Sequence, residues 1–354
     1  MSPARKTRFP SLEHLLQLSD DCGVIQHATY DVPNRETGYC VDDVARAFIV
    51  AARLYLEDGR REARGLAARM LSFLHNAQLP DGRFHNFMGY DRRWLDQAGG
   101  EDAFGRALWA LGWGLSVPSE RGWHRLCTQM LESALPHVPE LYHLRPCAYA
   151  ALGLAQAARS ELAAGHAQIL EMLGLLTERL LAARARYDSQ WAWFETTLTY
   201  ANARLPQALL SAGTVLAHAR ATAVGLETLA FLETLTIERG VFIPVGNEGW
   251  CTRGGHRALY AQQPIEAGAM VEAELAAHAV SGLDHHRRTA GVAFDWFFGH
   301  NSGSAIMVQG GGCRDGLERG GPNHNMGAES TLCYLMAAIA MAAHPVAEQR
   351  GVRR

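Results

Sequence analysis

Alternating β-branched segments are almost absent from this sequence of 354 residues, which argues against an extended sheet as its main architecture. Apolar runs approaching about 18 residues are also missing, and with them the basis for a membrane-spanning helix. No signal peptide is expected, because the basic stretch MSPARKTRFPS leads into a polar segment and not into an apolar one. Nor is there a concentrated basic face. The chain carries 33 Lys and Arg against 36 Asp and Glu, a formal net charge of -3, which argues against nucleic acid or another polyanion as partner. Seven cysteines (Cys22, Cys40, Cys127, Cys147, Cys251, Cys313, Cys333) form no CxxC pair and are odd in number. They read as reduced thiols in a cytoplasmic protein, with zinc as the alternative use. GxGxxG after a strand, GxxxxGKS/T, HExxH and GxSxG are all lacking, so nucleotide, zinc-protease and serine-hydrolase chemistry find no support. Neither a metal nor a cofactor is expected.

What the chain has in quantity is apolar sequence, 48% of its residues, arranged in Ala- and Leu-rich amphipathic segments of helical period. Twelve are readable: 11–18, 42–57, 62–78, 102–116, 120–134, 146–160, 162–182, 198–218, 222–236, 264–280, 284–299 and 327–343. Some links between them, such as 56–60 and 219–223, are short and suit helical hairpins. The others, 19–41, 79–101, 135–145, 183–197, 237–263 and 300–326, are long and rich in Trp, Tyr, His, Asn, Arg and acids. Six long loops, each feeding a helix, predict an all-α fold, an (α/α)6 toroid with six inner helices inside six outer ones. The charge-poor segment 146–158 suits the inner ring, and 162–182, with Glu171, Glu178 and Arg179, suits the outer one. No linker is visible, so a single domain over residues 1–354 is expected, with about ten residues frayed at each end.

Antiparallel alternation would bring all six long loops to one end of such a ring. Acids in a first helical turn commonly cap free N–H groups and favour the positive end of the helix dipole, and Asp42, Asp43 and Glu329 are open to that account. Asp42 is expected as the cap, with Asp43 one residue farther in and turned to the mouth. Capping does not explain the company these acids keep. Tyr39, Trp193 and Trp250 offer faces for sugar rings, while Asn34, Arg35, Asp42, Arg145, Asn202, Arg204, Glu248, Gln263, Glu266, Arg314, Asp315 and Asn325 offer hydrogen bonds to hydroxyls. Glycoside hydrolysis needs two carboxyl groups facing each other across the scissile bond. Of Asp42, Asp43, Glu195, Glu248, Glu266, Asp315 and Glu329, the favoured catalysts are Asp43, Glu195 and Glu329, each at an inner-helix entrance with aromatic or amide neighbours. Carboxylates facing an open pocket would mark an enzyme, whereas carboxylates all tied up in salt bridges would mark a glycan binder. The loop histidines His27, His85, His143, His256 and His324 would suit a sugar epimerase, and His285-His286 reads as a surface pair.

The runs YDVPNRETGYCVDDVARA, HLRPCAYA, WFETTLTYANARLPQALL, PVGNEGW, QQPIEA, FDWFFG, GGCRDGL and GAESTL resemble the six-hairpin glycosidase superfamily. Within it they are similar to a bacterial family found alone or fused to glycosyltransferase domains. The resemblance runs from about Tyr30 to about Met341. It implies a deep site at the N-terminal ends of the inner helices with carboxylate catalysts, carried to Asp43, Glu195 and Glu329 by position. It also implies an oligosaccharide or glycoside substrate, mannose- or glucose-based, and a glycosyltransferase as a partner. A non-catalytic accessory role beside that transferase and epimerase or isomerase activity are the alternatives, and the N-acylglucosamine 2-epimerase relatives share the toroid without their histidine motifs aligning in this sequence.

Overall fold

Helices poor in charge and rich in Ala and Gly can be covered on every side, and those with one polar stripe must keep it in water. The chain alternates between these two kinds. In the computed structural model, which describes residues 9–160 and 166–344, the inner helices are α2 (Val41–Asp58), α4 (Glu101–Gly114), α6 (Leu144–Ala158), α8 (Arg204–Val215), α10 (Pro264–Ser281) and α12 (Ala328–Ala343). Each packs on the next, and α12 returns to α2, closing a ring. The outer helices are α1 (Glu13–Leu18), α3 (Arg61–Ala77), α5 (Arg121–Ala134), α7 (His166–Arg184), α9 (Ala219–Thr236) and α11 (Asp284–Asp295). Five of them follow their inner partners through hairpins, and α1 packs against α12 at the seam. The expected (α/α)6 toroid is therefore the observed architecture. None of the described helices is long and apolar enough to cross a membrane.

Small residues set the closest approach in the ring. A Cβ on Gly112 of α4 would lie 2.1 Å from the carbonyl oxygen of Gly153 in α6, and one on Gly153 would lie 2.3 Å from that of Leu108. The two backbones touch, so neither glycine has room for a methyl group.

Three boundaries differ from expectation. The segment expected to be helical from 198 enters α8 only at Arg204, because Ala201 takes a left-handed φ of 49° and the preceding residues form a turn. The short link expected at 219–223 is already helical, and the turn lies just before it, with His218 capping α9 by accepting from Ala221 N. The last inner-outer hairpin ends earlier than expected, with α11 finishing at Asp295. The expected start of α7 at 162 and the tail 345–354 lie outside the described residues, whereas Phe9, expected to be frayed, is buried in the core.

The long loops gather at the N-terminal ends of the inner helices and are stitched to one another by ladders only two residues long. Tyr39–Cys40 before α2 pairs with Phe87–Met88 before α4, and Thr197–Leu198 before α8 pairs with Cys251–Thr252 before α10. Gln262 and Leu317 exchange backbone hydrogen bonds of 3.0 and 2.8 Å, tying the loop before α10 to that before α12. These ladders place the helix entrances in a common rim.

Candidate active site

At that rim a cavity of about 330 Å³ opens between the starts of α2, α10 and α12. Asp42, Asp43, Arg46, Asp315, Glu329 and Ser330 supply its polar wall, and Gln26, His27, Phe87 and Gln263 its outer edge. Asp42, Asp43 and Glu329 come from first helical turns, where free N–H groups and the helix dipole favour negative charge, and Asp315 comes from the loop before α12.

Asp43 and Glu329 meet at one guanidinium. Arg46 donates from Nη1 to Asp43 and from Nη2 to Glu329, each at 2.7 Å. Asp43 is buried and also accepts from Cys40 Sγ at 3.2 Å, while the Glu329 side chain keeps 47% of its surface exposed. Burial raises the Asp43 carboxyl to a pKa of about 6, opposed by Arg46 and reinforced by Glu329. The pair thus consists of one covered carboxyl that holds its proton to unusually high pH and one carboxylate open to the cavity.

A second arginine repeats the arrangement one helix along. Arg106 of α4 donates to Asp42 at 2.9 Å and to Asp102 at 3.1 Å, and its plane lies over the Tyr149 ring, 4.3 Å from the centroid. Asp42 is therefore not the helix cap expected of it. Cys40 occupies the cap position without a side-chain bond, and the Asp42 carboxylate is spent on an ion pair between helices. Asp102 in turn accepts from the Tyr200 hydroxyl at 2.8 Å.

Arg145 organises a third group. It donates to Glu195 and to the Tyr200 carbonyl at 2.5 Å each, and to Asn202 Oδ1 at 3.3 Å. Asn202 passes the contact on, donating from Nδ2 to Glu266 at 2.9 Å. Burial lifts the Glu266 carboxyl to a pKa of about 7 against the hydrogen bonds from Asn202, and its Oε1 has no partner among the described residues. Glu195 faces a different niche from Asp43 and Glu329, beside Tyr142, His143 and Tyr187. The structure thus brings two of the three favoured catalysts into one cavity and leaves the third outside it.

Below this layer the ring is filled. The Arg204 guanidinium lies over Trp109, 4.7 Å from its centroid, Trp109 stacks on Tyr149, and Arg204 pairs with Glu272 at 2.7 Å. Glu272 is also held by Arg53 at 2.5 Å. These residues are buried, and Arg53, Trp109 and Glu272 line a further cavity of about 290 Å³ that reaches the C-terminal ends of the inner helices. Arg204, expected at the mouth, belongs to this plug.

The remaining expected residues divide. Gln263 and Asp315 line the cavity, and Asp315 accepts from Gly327 N at 2.7 Å and Ser330 Oγ at 2.5 Å, which ties the start of α12 to its loop. Tyr39 and Trp193 are wholly buried and offer no face to a ligand. The Tyr39 hydroxyl donates to Asp20 at 2.6 Å, and Trp193 packs on Phe194 and Phe231. Asn34 caps a short 3-10 turn, and Arg35 stands over Tyr90, outside the cavity. Glu248 lines a separate surface niche with Tyr260 and Arg319, and Trp250 sits nearby with its carbonyl accepting from Ala258. Arg314 bonds His324 and Gln309, and Asn325 Oδ1 accepts from Tyr30 N, so both brace loops. Sequence reasoning missed Arg46, Arg106, Tyr149 and Ser330. A signal existed for the first two, because Asp42…Arg46 and Asp102…Arg106 repeat the spacing D-x-x-x-R at two helix starts.

No protein-family profile matches the sequence, and a comparison with curated proteins gives no match. Solved structures do resemble it. A sugar epimerase from a ruminal bacterium superposes with a TM-score of 0.75 at 10% identity, over 95% of either chain. Cellobiose 2-epimerase of Bacillus thermoamylovorans gives 0.74 at 11% identity, over 94% of this chain and 95% of that one. A GH76 α-mannanase of Bacteroides thetaiotaomicron gives 0.65 at 9% identity, over 93% of both. At such identities these likenesses speak for the toroid architecture alone.

Proposed function

We propose that the protein is a carbohydrate-active enzyme that cleaves a glycosidic bond in a short oligosaccharide, with Asp43 as general acid and Glu329 as the opposing base or nucleophile. The observation that carries this reading is the unequal pair at Arg46, one carboxyl covered and protonated up to about pH 6, the other facing the cavity. Asp43 would give its proton to the leaving oxygen, and Arg46 would stabilise the carboxylate left behind. Glu329 would attack the anomeric carbon or activate a water for that attack. Gln263 and His27 are placed to bond sugar hydroxyls, and the half-exposed Phe87 offers an apolar face for a ring. A cavity of about 330 Å³ favours a short saccharide or a chain end over a long chain. The activities of similar toroids, which include a GH76 α-mannanase and a cellulase, support a sugar substrate.

A second reading is epimerisation or isomerisation of a reducing sugar. His27 on the cavity wall, and the likeness to a sugar epimerase and a D-mannose isomerase, favour it. One experiment separates the two. The protein is incubated in D2O with mannose- and glucose-based disaccharides, and the products are followed by NMR. Hydrolysis releases monosaccharides, whereas epimerisation leaves the glycosidic bond intact and introduces deuterium at C2. Asp43→Asn and Glu329→Gln are expected to abolish hydrolysis while each variant still melts in a cooperative transition, below that of wild type. Binding without turnover would instead establish an accessory glycan binder, and cleavage unaffected by both substitutions would refute the site.

A further inference from the structure

Three helices away from the mouth cavity bring together a set of side chains that the sugar chemistry does not use. Glu233 comes from α9, Glu274 from α10, and His285 and His286 from the first turn of α11. The His285 Nε2 atom lies 2.7 Å from Glu233 Oε2. His286 Nδ1 lies 3.9 Å from Glu233 Oε1 and 2.7 Å from Glu274 Oε2. One donor atom from each of Glu233, His285 and His286 falls within 4.8 Å of the others. Tetrahedral ligands of a cation bound at about 2.0–2.2 Å stand about 3.3–3.6 Å apart, so a gap as wide as 4.8 Å would have to close by about 1.3 Å and the 2.7 Å contacts open, movements that side-chain rotation supplies.

The setting matters as much as the spacing. The His285–His286 pair is only half a surface feature, because His285 is 54% exposed at its side chain and His286 is buried at 8%. Glu274 is wholly buried, and its carboxyl lies against that of Glu233, with which it shares a hydrogen bond. Two acid side chains in contact beside two imidazoles, one of the acids wholly buried, are an uneconomical way to fill a helix junction. They are a suitable way to hold a divalent cation, whose charge the two carboxylates would balance.

We propose that Glu233, His285 and His286 form a site for a divalent transition metal of the zinc class, with Glu274 as the fourth donor. Imidazole nitrogen and carboxylate oxygen are the ligands such ions prefer, and four donors from three helices can adopt the tetrahedral arrangement zinc favours. The ion would clamp α9, α10 and α11 together, independent of sugar turnover. Adjacent histidines on a helix point in different directions, and His285 would compensate by binding through its distal nitrogen and His286 through its proximal one.

The test uses the full-length protein stripped with EDTA and titrated with zinc chloride by calorimetry, with melting temperature followed in parallel. One equivalent should bind and raise the melting temperature. His285→Ala and Glu233→Gln should each weaken binding at least tenfold. His285 is exposed enough that its removal should leave the metal-free melting temperature close to wild type. Substituting cobalt(II) distinguishes this site from the seven thiols, since nitrogen and oxygen donors give visible d–d absorption without a thiolate charge-transfer band. Absence of stoichiometric binding, binding undiminished in both variants, or a thiolate band would each overturn the assignment.

Discussion

Arg46 of α2 donates to Glu329 of α12 at 2.7 Å across the seam where the ring closes, while its other terminal nitrogen holds Asp43 of its own helix. Arg106 does the same one helix along, holding Asp102 of α4 and Asp42 of α2. Removing a buried cation from such a pair leaves the covered acid uncompensated, which typically costs about 3–5 kcal/mol. Arg46→Ala should therefore lower stability by roughly that amount. Glu329→Gln, at the half-exposed end, should cost less than about 1 kcal/mol. Urea denaturation of the two variants would show the order, and a smaller loss for Arg46→Ala would contradict it.

Activity should carry the signature of Asp43. Burial raises its pKa from an ordinary 3.8 to about 6, so the proton it donates is lost as pH climbs past that value. Log kcat/KM is expected to fall with unit slope above about pH 6. A profile flat to about pH 9 would remove Asp43 from the acid role.

Glu266 offers a stability test. Burial lifts its carboxyl from 4.5 to about 7, so between those values the folded protein keeps a proton that the unfolded chain releases. Folded binding exceeding unfolded binding means that stability is lost as pH rises through this window, on the order of 3 kcal/mol in all. Glu266→Gln removes that loss while retaining an acceptor for Asn202. The variant should gain on wild type between pH 5 and pH 8 by denaturant midpoint, roughly to that extent. An equal difference at both pH values would show that Glu266 is charged in the fold.

Glycine substitutions should have opposite signs at two kinds of helix position. Ala in place of Gly normally steadies a helix by about 1 kcal/mol, and Gly65 on α3, with open space where a Cβ would go, should follow that rule. Gly112→Ala should reverse it, since its methyl would strike the Gly153 carbonyl oxygen. A loss of about 1–3 kcal/mol or more is expected, read as a fall in melting temperature.

Much of this was legible in one dimension. A helix such as PCAYAALGLAQAA has so little charge that only an interior position suits it, and α6 is indeed inside. Asp43 and Glu329 announced themselves by lying in first turns below loops rich in polar groups. The arginines did not, because Arg46 and Arg106 stand at spacings from acids that ordinarily describe solvent-facing pairs on a single helix. Only closure of the ring turns those faces inward and supplies acids from a neighbouring helix. Tyr39 and Trp193 misled for the converse reason, since an aromatic in a loop packs beneath it as readily as it lines its surface. Glu274 was hidden too, inside an apolar run that gives no hint of the histidines on the helix beside it.

Return of α12 to α2 also governs the order in which the molecule can come into being. Arg46 and its partner Glu329 are 283 residues apart in sequence, so no partial ring contains the pocket they share. On a ribosome, helices α2 to α10 could pair with their neighbours as they emerge, yet Asp43 would still face an open gap. Sugar binding should therefore arrive all at once, after the last inner helix has left the exit tunnel. Chains stalled short of α12 should bind none, and a binder among them would show that the gap is not where the pocket forms.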